Sequence, residues 1–246
     1  MVSWGTRFFG FGIVALGVVC VAFGDFDFGQ SVPKAFPARE ALAYAAAAFM
    51  ILAGAALEWP RTVRLGAAAL AIYFGLVVVI VMDGRDVVAH YAEYGTYSSI
   101  ASQVAIAAAA LVVYAGTLED AARRARLYRA GQVTFGICAV LFGGAHFFYM
   151  NLTAPLVPKW LPPSQEFWGY ATGIFHIAGG LALLTGIQAR RAAILLAIMY
   201  AAFTPLVHVP LAVAHPGDHF VWSENALNLI LAAVAWVMAD SLAPSR

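Results

Sequence analysis

Charged side chains are scarce in this sequence: Asp, Glu, Lys and Arg make up only 11% of its 246 residues. A soluble domain carries about a quarter, so too few charges are present to face water. The net charge of +1 also excludes nucleic acid as a partner, because that role needs a clear basic excess. Cysteine is nearly absent. Cys20 and Cys138 fall inside apolar runs with no CxxC or metal-ligand spacing, so they read as small buried hydrophobes. Ten-residue alternation of polar and apolar positions is missing too, which excludes a transmembrane β-barrel.

Long apolar runs fill the space instead, and hydrophobic residues reach 63%. A helix needs about 20 apolar residues to cross a bilayer. The sequence holds eight such stretches, roughly 7–24, 40–58, 63–82, 98–117, 129–150, 167–187, 191–213 and 220–239. Backbone groups in lipid must be satisfied within the protein, so these runs are helices. The expected class is an all-α integral membrane protein whose first partner is the lipid bilayer. The first run leads into Asp25-Phe26-Asp27-Phe28 without a small-residue cleavage site, so it is expected to belong to the mature fold.

Basic residues alternate between the connections. Arg7, Arg61, Arg64, Arg123, Arg124, Arg126, Arg129, Arg190, Arg191 and Arg246 group on one face, leaving Lys34, Arg39, Arg85 and Lys159 for the other. The positive-inside rule then makes both termini cytoplasmic.

The chain also repeats itself. Val32-Pro33-Lys34-Ala35-Phe36-Pro37 is echoed 125 residues later by Val157-Pro158-Lys159-Trp160-Leu161-Pro162, and Ala53-Gly54 by Ala178-Gly179. Gly10, Asp25 and Phe26 answer Gly131, His146 and Phe147 at a spacing of 121. Each unit spans four helices, an even number, so the expectation is a parallel repeat of two four-helix bundles. Residues 1–117 form the first half, 118–128 a cytoplasmic linker and 129–246 the second half.

The second half carries most of the chemistry. His146, His176, His208 and Glu224 fall in the outer half of its helices, with Asn225 and Asn228 beside Glu224. Ionisable groups in lipid cost about 2.5–3.5 kcal/mol each on insertion scales, so they should meet one another or line a wet cavity. A lone intramembrane histidine is commonly satisfied by an interhelical hydrogen bond, but the shared depth of these residues points to one site. His176 is bracketed by Thr172, Gly173, Gly179 and Gly180, which allow a close helix neighbour. His215 and His219 read as solvated loop residues, and Trp160, Trp168 and Trp222 as an interfacial belt. Lys159 reads as an interfacial anchor.

Three cofactor chemistries remain open. His146, His176, His208 and Glu224 suit a divalent metal, although no tight ligand motif is present. A bis-histidine haem is a second possibility. A quinone pocket needs an apolar, aromatic cavity with a few hydrogen-bonding groups, and His146 with Phe147, Phe148, Tyr149 and His176 fits that description best.

Phe142-Gly143-Gly144-Ala145-His146-Phe147, the Pro-rich stretch from Pro155 to Pro163, Thr172-Gly173, Ile177 to Gly186, Arg190-Arg191-Ala192-Ala193, His208 and Glu224-Asn225 together resemble the DoxX/DoxD-like family of small four-helix membrane proteins. The resemblance covers most of 129–240, and 7–117 looks like a degenerate copy. Where that family shows an acidic residue in its second helix, this chain has His176. The resemblance implies a membrane subunit associated with thiosulfate:quinone oxidoreduction or a related redox system.

The expectation is therefore a quinone-interacting, redox-linked subunit or small oxidoreductase of a bacterial inner membrane, working with another redox subunit. His176 and His208 would handle protons. His146, Tyr149 and Glu224 would hold the headgroup, oriented by Asn228. A non-enzymatic scaffold or partner-binding subunit is the alternative, and a metal or small-solute transporter the second.

Overall fold

The computed structural model describes residues 2–243 and is helical, with no strand among the described residues. Eight helices are long and apolar enough to cross a membrane: α1 (Trp4–Phe23), α2 (Arg39–Ala56), α3 (Val63–Ala89), α4 (Tyr94–Gly116), α5 (Ala121–Phe148), α6 (Gln165–Thr185), α7 (Ala189–Ala214) and α8 (His219–Ser241). They coincide with the eight apolar runs to within a few residues at most ends. One segment differs. Asp120 accepts hydrogen bonds from the backbone N–H groups of Ala122 and Arg123, so α5 starts at Ala121 rather than near residue 129, and most of the Arg-rich 118–128 stretch is helical.

Caps set other boundaries. Ser3 caps α1, Ser164 caps α6 and Asp218 caps α8, each through a side-chain oxygen accepting from the first turn. Gly24 ends α1 with φ of +63°, a left-handed turn that glycine adopts without strain. The Gly5 N–H donates to Asp240 Oδ2 at 3.2 Å, so the start of α1 and the end of α8 share one face, here the terminal face. There Arg129 and Gln132 donate to the carbonyls of Leu183 and Leu184, supplying donors that the end of α6 lacks.

Two seams bring backbones unusually close. A Cβ on Gly10 would lie 2.7 Å from the Gly54 carbonyl oxygen, and one on Gly17 would lie 2.9 Å from that of Ala47, joining α1 to α2. On α5 and α6, a Cβ on Gly180 would lie 2.6 Å from the Gly136 oxygen, and one on Gly143 would lie 2.7 Å from the Gly173 oxygen. Lipid gives helices no hydrophobic reason to associate, so packing at such small-residue seams holds them together.

The helices close into two five-membered rings with α4 and α8 in common. In one, α1 packs on α2, α2 on α3, α3 on α4, α4 on α8 and α8 on α1; in the other, the order is α4, α5, α6, α7 and α8. Phe9, Ile13, Leu16, Met50, Leu70 and Phe74 fill the first ring. Helices α3 and α7 both widen into π-helix, over Tyr73–Met82 and Thr204–His208. Such widenings recur at functional sites, and Pro205 lies within the second.

Candidate functional site

The second ring is only partly filled by its buried side chains. A cavity of about 1370 Å³ lies between α4, α5, α6, α7 and α8, larger than the roughly 300–1,000 Å³ usual for small-molecule sites. Its wall is mostly apolar, with Phe142, Phe175, Leu195, Leu196, Met199, Phe203 and Leu227 prominent. It follows α7 from Arg191 near the terminal face to His208 near the opposite, distal face, a span of roughly 25 Å at 1.5 Å per residue. Leu195, Ile198 and Phe175 belong both to this wall and to the exposed apolar surface, so the cavity reaches the lipid-facing side of the bundle.

Polar groups gather towards the distal end. His146 on α5, Thr172 on α6, His208 on α7 and Glu224 on α8 all line the cavity, and α4 adds Ser98, Ser99, Ser102 and Gln103. The His146 Nδ1 lies 3.0 Å from the Gly169 carbonyl oxygen and 3.1 Å from Thr172 Oγ1. A carbonyl can only accept, so Nδ1 carries the proton in that bond and Nε2 is the bare nitrogen of the neutral ring. The Gly143–Gly173 seam sets this geometry, since a Cβ on Gly173 would come within 2.8 Å of the His146 Cβ.

Several expected site residues stand elsewhere. His176 meets His146, ring centroids 5.2 Å apart, but it is only 2% exposed and lies behind the cavity wall. Its Nδ1 donates to the Thr172 carbonyl at 2.8 Å, and Phe142, Tyr200 and Phe203 surround the ring. An intrahelical bond one turn back thus occupies Nδ1 and holds the ring outside the cavity lining. Tyr149 is outside the lining as well: its hydroxyl accepts the Gly95 N–H at 2.8 Å and ties the start of α4 to the end of α5. Asn228 gives its amide to α7, donating to the Tyr200 carbonyl and to Thr204 Oγ1, both at 2.9 Å. Pro205 removes a backbone donor from that turn of α7, and Asn228 supplies one.

His219 is not a solvated loop residue either. It is half-buried, stacked on Phe23 with centroids 4.7 Å apart and set against Phe28. His215 is exposed, as expected. Trp168, read as belt only, also lines the cavity and donates to the Pro162 carbonyl. Among the described residues no three His, Cys, Asp or Glu side chains converge on a point that would hold a metal ion. The four candidate ligands His146, His176, His208 and Glu224 come from four helices, and the wide cavity keeps them from closing round one centre.

A second polar cluster was not anticipated as a site. The segment after α1 turns back into the distal mouth of the first ring, burying Phe26, Asp27 and Gln30. Asp25 stays at the rim, bound to Lys34 at 3.1 Å and to Arg39. Partial burial pushes its carboxyl up, but the two cations outweigh that and hold it below its ordinary value. Asp27 goes inside, where Oδ2 accepts from the Gly29 N–H at 3.0 Å and from Gln103 Nε2 at 3.2 Å. Burial raises the Asp27 carboxyl above its ordinary value, against the pull of those donors. Asp83, at the distal end of α3, accepts the Ser31 N–H at 3.1 Å and is 2% exposed. Tyr73 donates to Gln30 at 3.2 Å. The signal available in the sequence was the run Asp25-Phe26-Asp27-Phe28, in which acids alternate with aromatics where a solvated loop needs none.

A family described as a domain of unknown function (DUF8561) matches residues 135–239. The match runs from within α5 to the last turns of α8 and includes His146, His176, His208 and Glu224. No curated protein and no solved structure matches this chain.

Proposed function

We propose that this protein binds a quinone-class molecule in the cavity of the second ring, as a redox-linked subunit or small oxidoreductase of a bacterial inner membrane. The observation that carries the reading is the cavity itself: a long apolar slot reaching the lipid-facing surface, with most of its polar groups at the distal end and Gln188 and Arg191 at the other. That distribution suits an amphiphile with a compact polar headgroup and a long apolar tail. The headgroup lies against His146, His208 and Glu224, and the tail runs along α7 past Met199 and Leu195. His146 offers Nε2, an acceptor, which fits the hydroxyl of a quinol. The α4 serines offer donors for a quinone carbonyl. His208 takes the proton-handling role, with His176 setting the position of His146 from behind. Electrons would come from a separate redox subunit.

The same proposal includes a parallel two-unit repeat, a DoxX/DoxD-like second half and cytoplasmic termini. Support for the repeat comes from the seams, in a register of 126 that replaces the spacing of 121 expected for Gly10 and Gly131: Gly10 against Gly54 and Gly17 against Ala47 recur as Gly136 against Gly180 and Gly143 against Gly173. Gly5 packs on Val237 of α8, and Gly131, also 126 positions later, packs on Val112 of α4. The family match to residues 135–239 falls within the second unit. The termini follow from the nine basic residues of that group on the terminal face, Arg246 lying outside the described residues.

Native mass spectrometry in mild detergent with a long-chain ubiquinone added tests the reading. Wild type should carry one quinone, while His146→Ala and Ala202→Trp, which fills the wall of the cavity, should carry markedly less. Equal occupancy in all three, or a bare chain throughout, would move the assignment to a scaffold or partner-binding subunit.

A further inference from the structure

The first ring is closed by a buried acid with an incomplete set of partners. Asp27 is 1% exposed and Gln103, which holds it, is 0% exposed. Asp27 Oδ2 has two donors, yet Oδ1 has none, and neither Gln103 Oε1 nor the buried Ser223 Oγ has a partner. Ser223 stands against the carboxyl from α8. Among the described residues no basic side chain pairs with Asp27, because Lys34 and Arg39 are both engaged by Asp25. An isolated carboxylate in such surroundings would be costly, and groups in that position neutralise instead.

We propose that Asp27 is a proton-binding site: the resting protein holds it as the neutral acid, and its proton exchanges with the large cavity through the wall formed by Gly29 and Gln103. Both wall residues line the cavity and both bond Asp27, so the acid lies one residue away from that space. In the neutral form Oδ1 carries the O–H, and the oxygen that lacks a donor becomes a donor itself. When the proton leaves, the Gly29 N–H and the Gln103 amide remain on Oδ2 to hold the carboxylate.

Against the donor groups of Phe28, Gly29, Gln103 and Ser223, which favour the carboxylate, the titratable groups around Asp27 favour the acid form. They are the Cys20 thiol of α1, the Tyr73 phenol and Asp83 carboxyl of α3, and the Glu224 carboxyl of α8, each neutral or negative. Asp25, two residues away, is neutralised by its own cations. The upward shift of Asp27 by burial agrees with this geometry. Glu224 stands in the cavity wall, which places it between the Asp27 site and any occupant of the second ring. The inference does not depend on what that occupant is.

Two measurements on the lipid-reconstituted full chain test it. Infrared spectra at neutral pH should show the carbonyl stretch of a protonated carboxylic acid that Asp27→Asn removes. Asn keeps an acceptor for Gly29 and Gln103 and replaces the O–H with N–H donors, so the variant should fold. Dicyclohexylcarbodiimide, which adds to protonated carboxyls in apolar settings, should modify the unsubstituted chain at Asp27 when mapped by peptide mass, and less so as pH rises. Acid bands identical in wild type and Asp27→Asn would overturn the proposal. Modification of other carboxyls but not Asp27 would also overturn it, as would labelling suppressed by sodium without an acid band, the mark of a cation site.

Discussion

The α5–α6 seam gives the sharpest quantitative test, through Gly173→Ala. The added methyl would sit 2.8 Å from His146 Cβ, 3.0 Å from Phe147 Cε2 and 3.2 Å from the Gly143 carbonyl oxygen, where ordinary contact starts at 3.4 Å. The clash with His146 is against a Cβ, which no rotamer change can move, so α5 must retreat from α6 by roughly half an ångström. Overpacking of this kind costs about 1–3 kcal/mol. A loss of about 2 kcal/mol corresponds to roughly 4–8 °C in melting temperature for a chain of this size. The control is Gly75→Ala in α3, where the new Cβ meets nothing closer than the Ala107 Cβ at 3.7 Å. There helix propensity alone acts, and it favours Ala by about 1 kcal/mol. Thermal unfolding in mild detergent, followed by intrinsic tryptophan fluorescence, should rank Gly75→Ala at or above wild type and Gly173→Ala well below. If Gly173→Ala melts with Gly75→Ala, the seam is not what positions His146, and the argument for a preformed site fails.

Asn228→Leu should lower stability by about 1–3 kcal/mol, because the Tyr200 carbonyl and Thr204 lose a buried donor beside Pro205; an unchanged melting temperature would show that α7 satisfies itself. Asp25 and Asp27 should respond to pH with opposite signs. The Asp25 value is lowered on folding, so its contribution is present above the unfolded-chain value and lost as pH falls through the folded one. Asp25→Asn should therefore weaken the protein at neutral pH and blunt its decline in acid. The Asp27 value is raised on folding, so its contribution is full below the unfolded-chain value and lost as pH rises through the folded one. Asp27→Asn should flatten that loss. Melting temperatures measured across pH for both variants check the pair, and equal slopes for both would refute the assigned environments.

The sequence by itself determined the class and the number of spans. Whether a run of about 20 residues crosses a bilayer depends on its own apolarity and length, so Trp4–Phe23 or Gln165–Thr185 can be recognised without knowing any neighbour. Shared depth also suggested grouping His146, His176, His208 and Glu224, of which His146, His208 and Glu224 line the cavity. Tertiary structure alone decided the rest. Depth says nothing about rotation, and a bond to the Thr172 carbonyl turns His176 into the wall while His146, one helix away, lines the cavity. Nothing local announces that α4, from the first half, closes the second ring with Ser98 to Gln103, or that the segment after α1 folds inward to bury Asp27. Helices in lipid have no hydrophobic gradient to sort their neighbours. Their partners are chosen by close steric fits, such as Gly143 against Gly173, that exist only once both surfaces are in place.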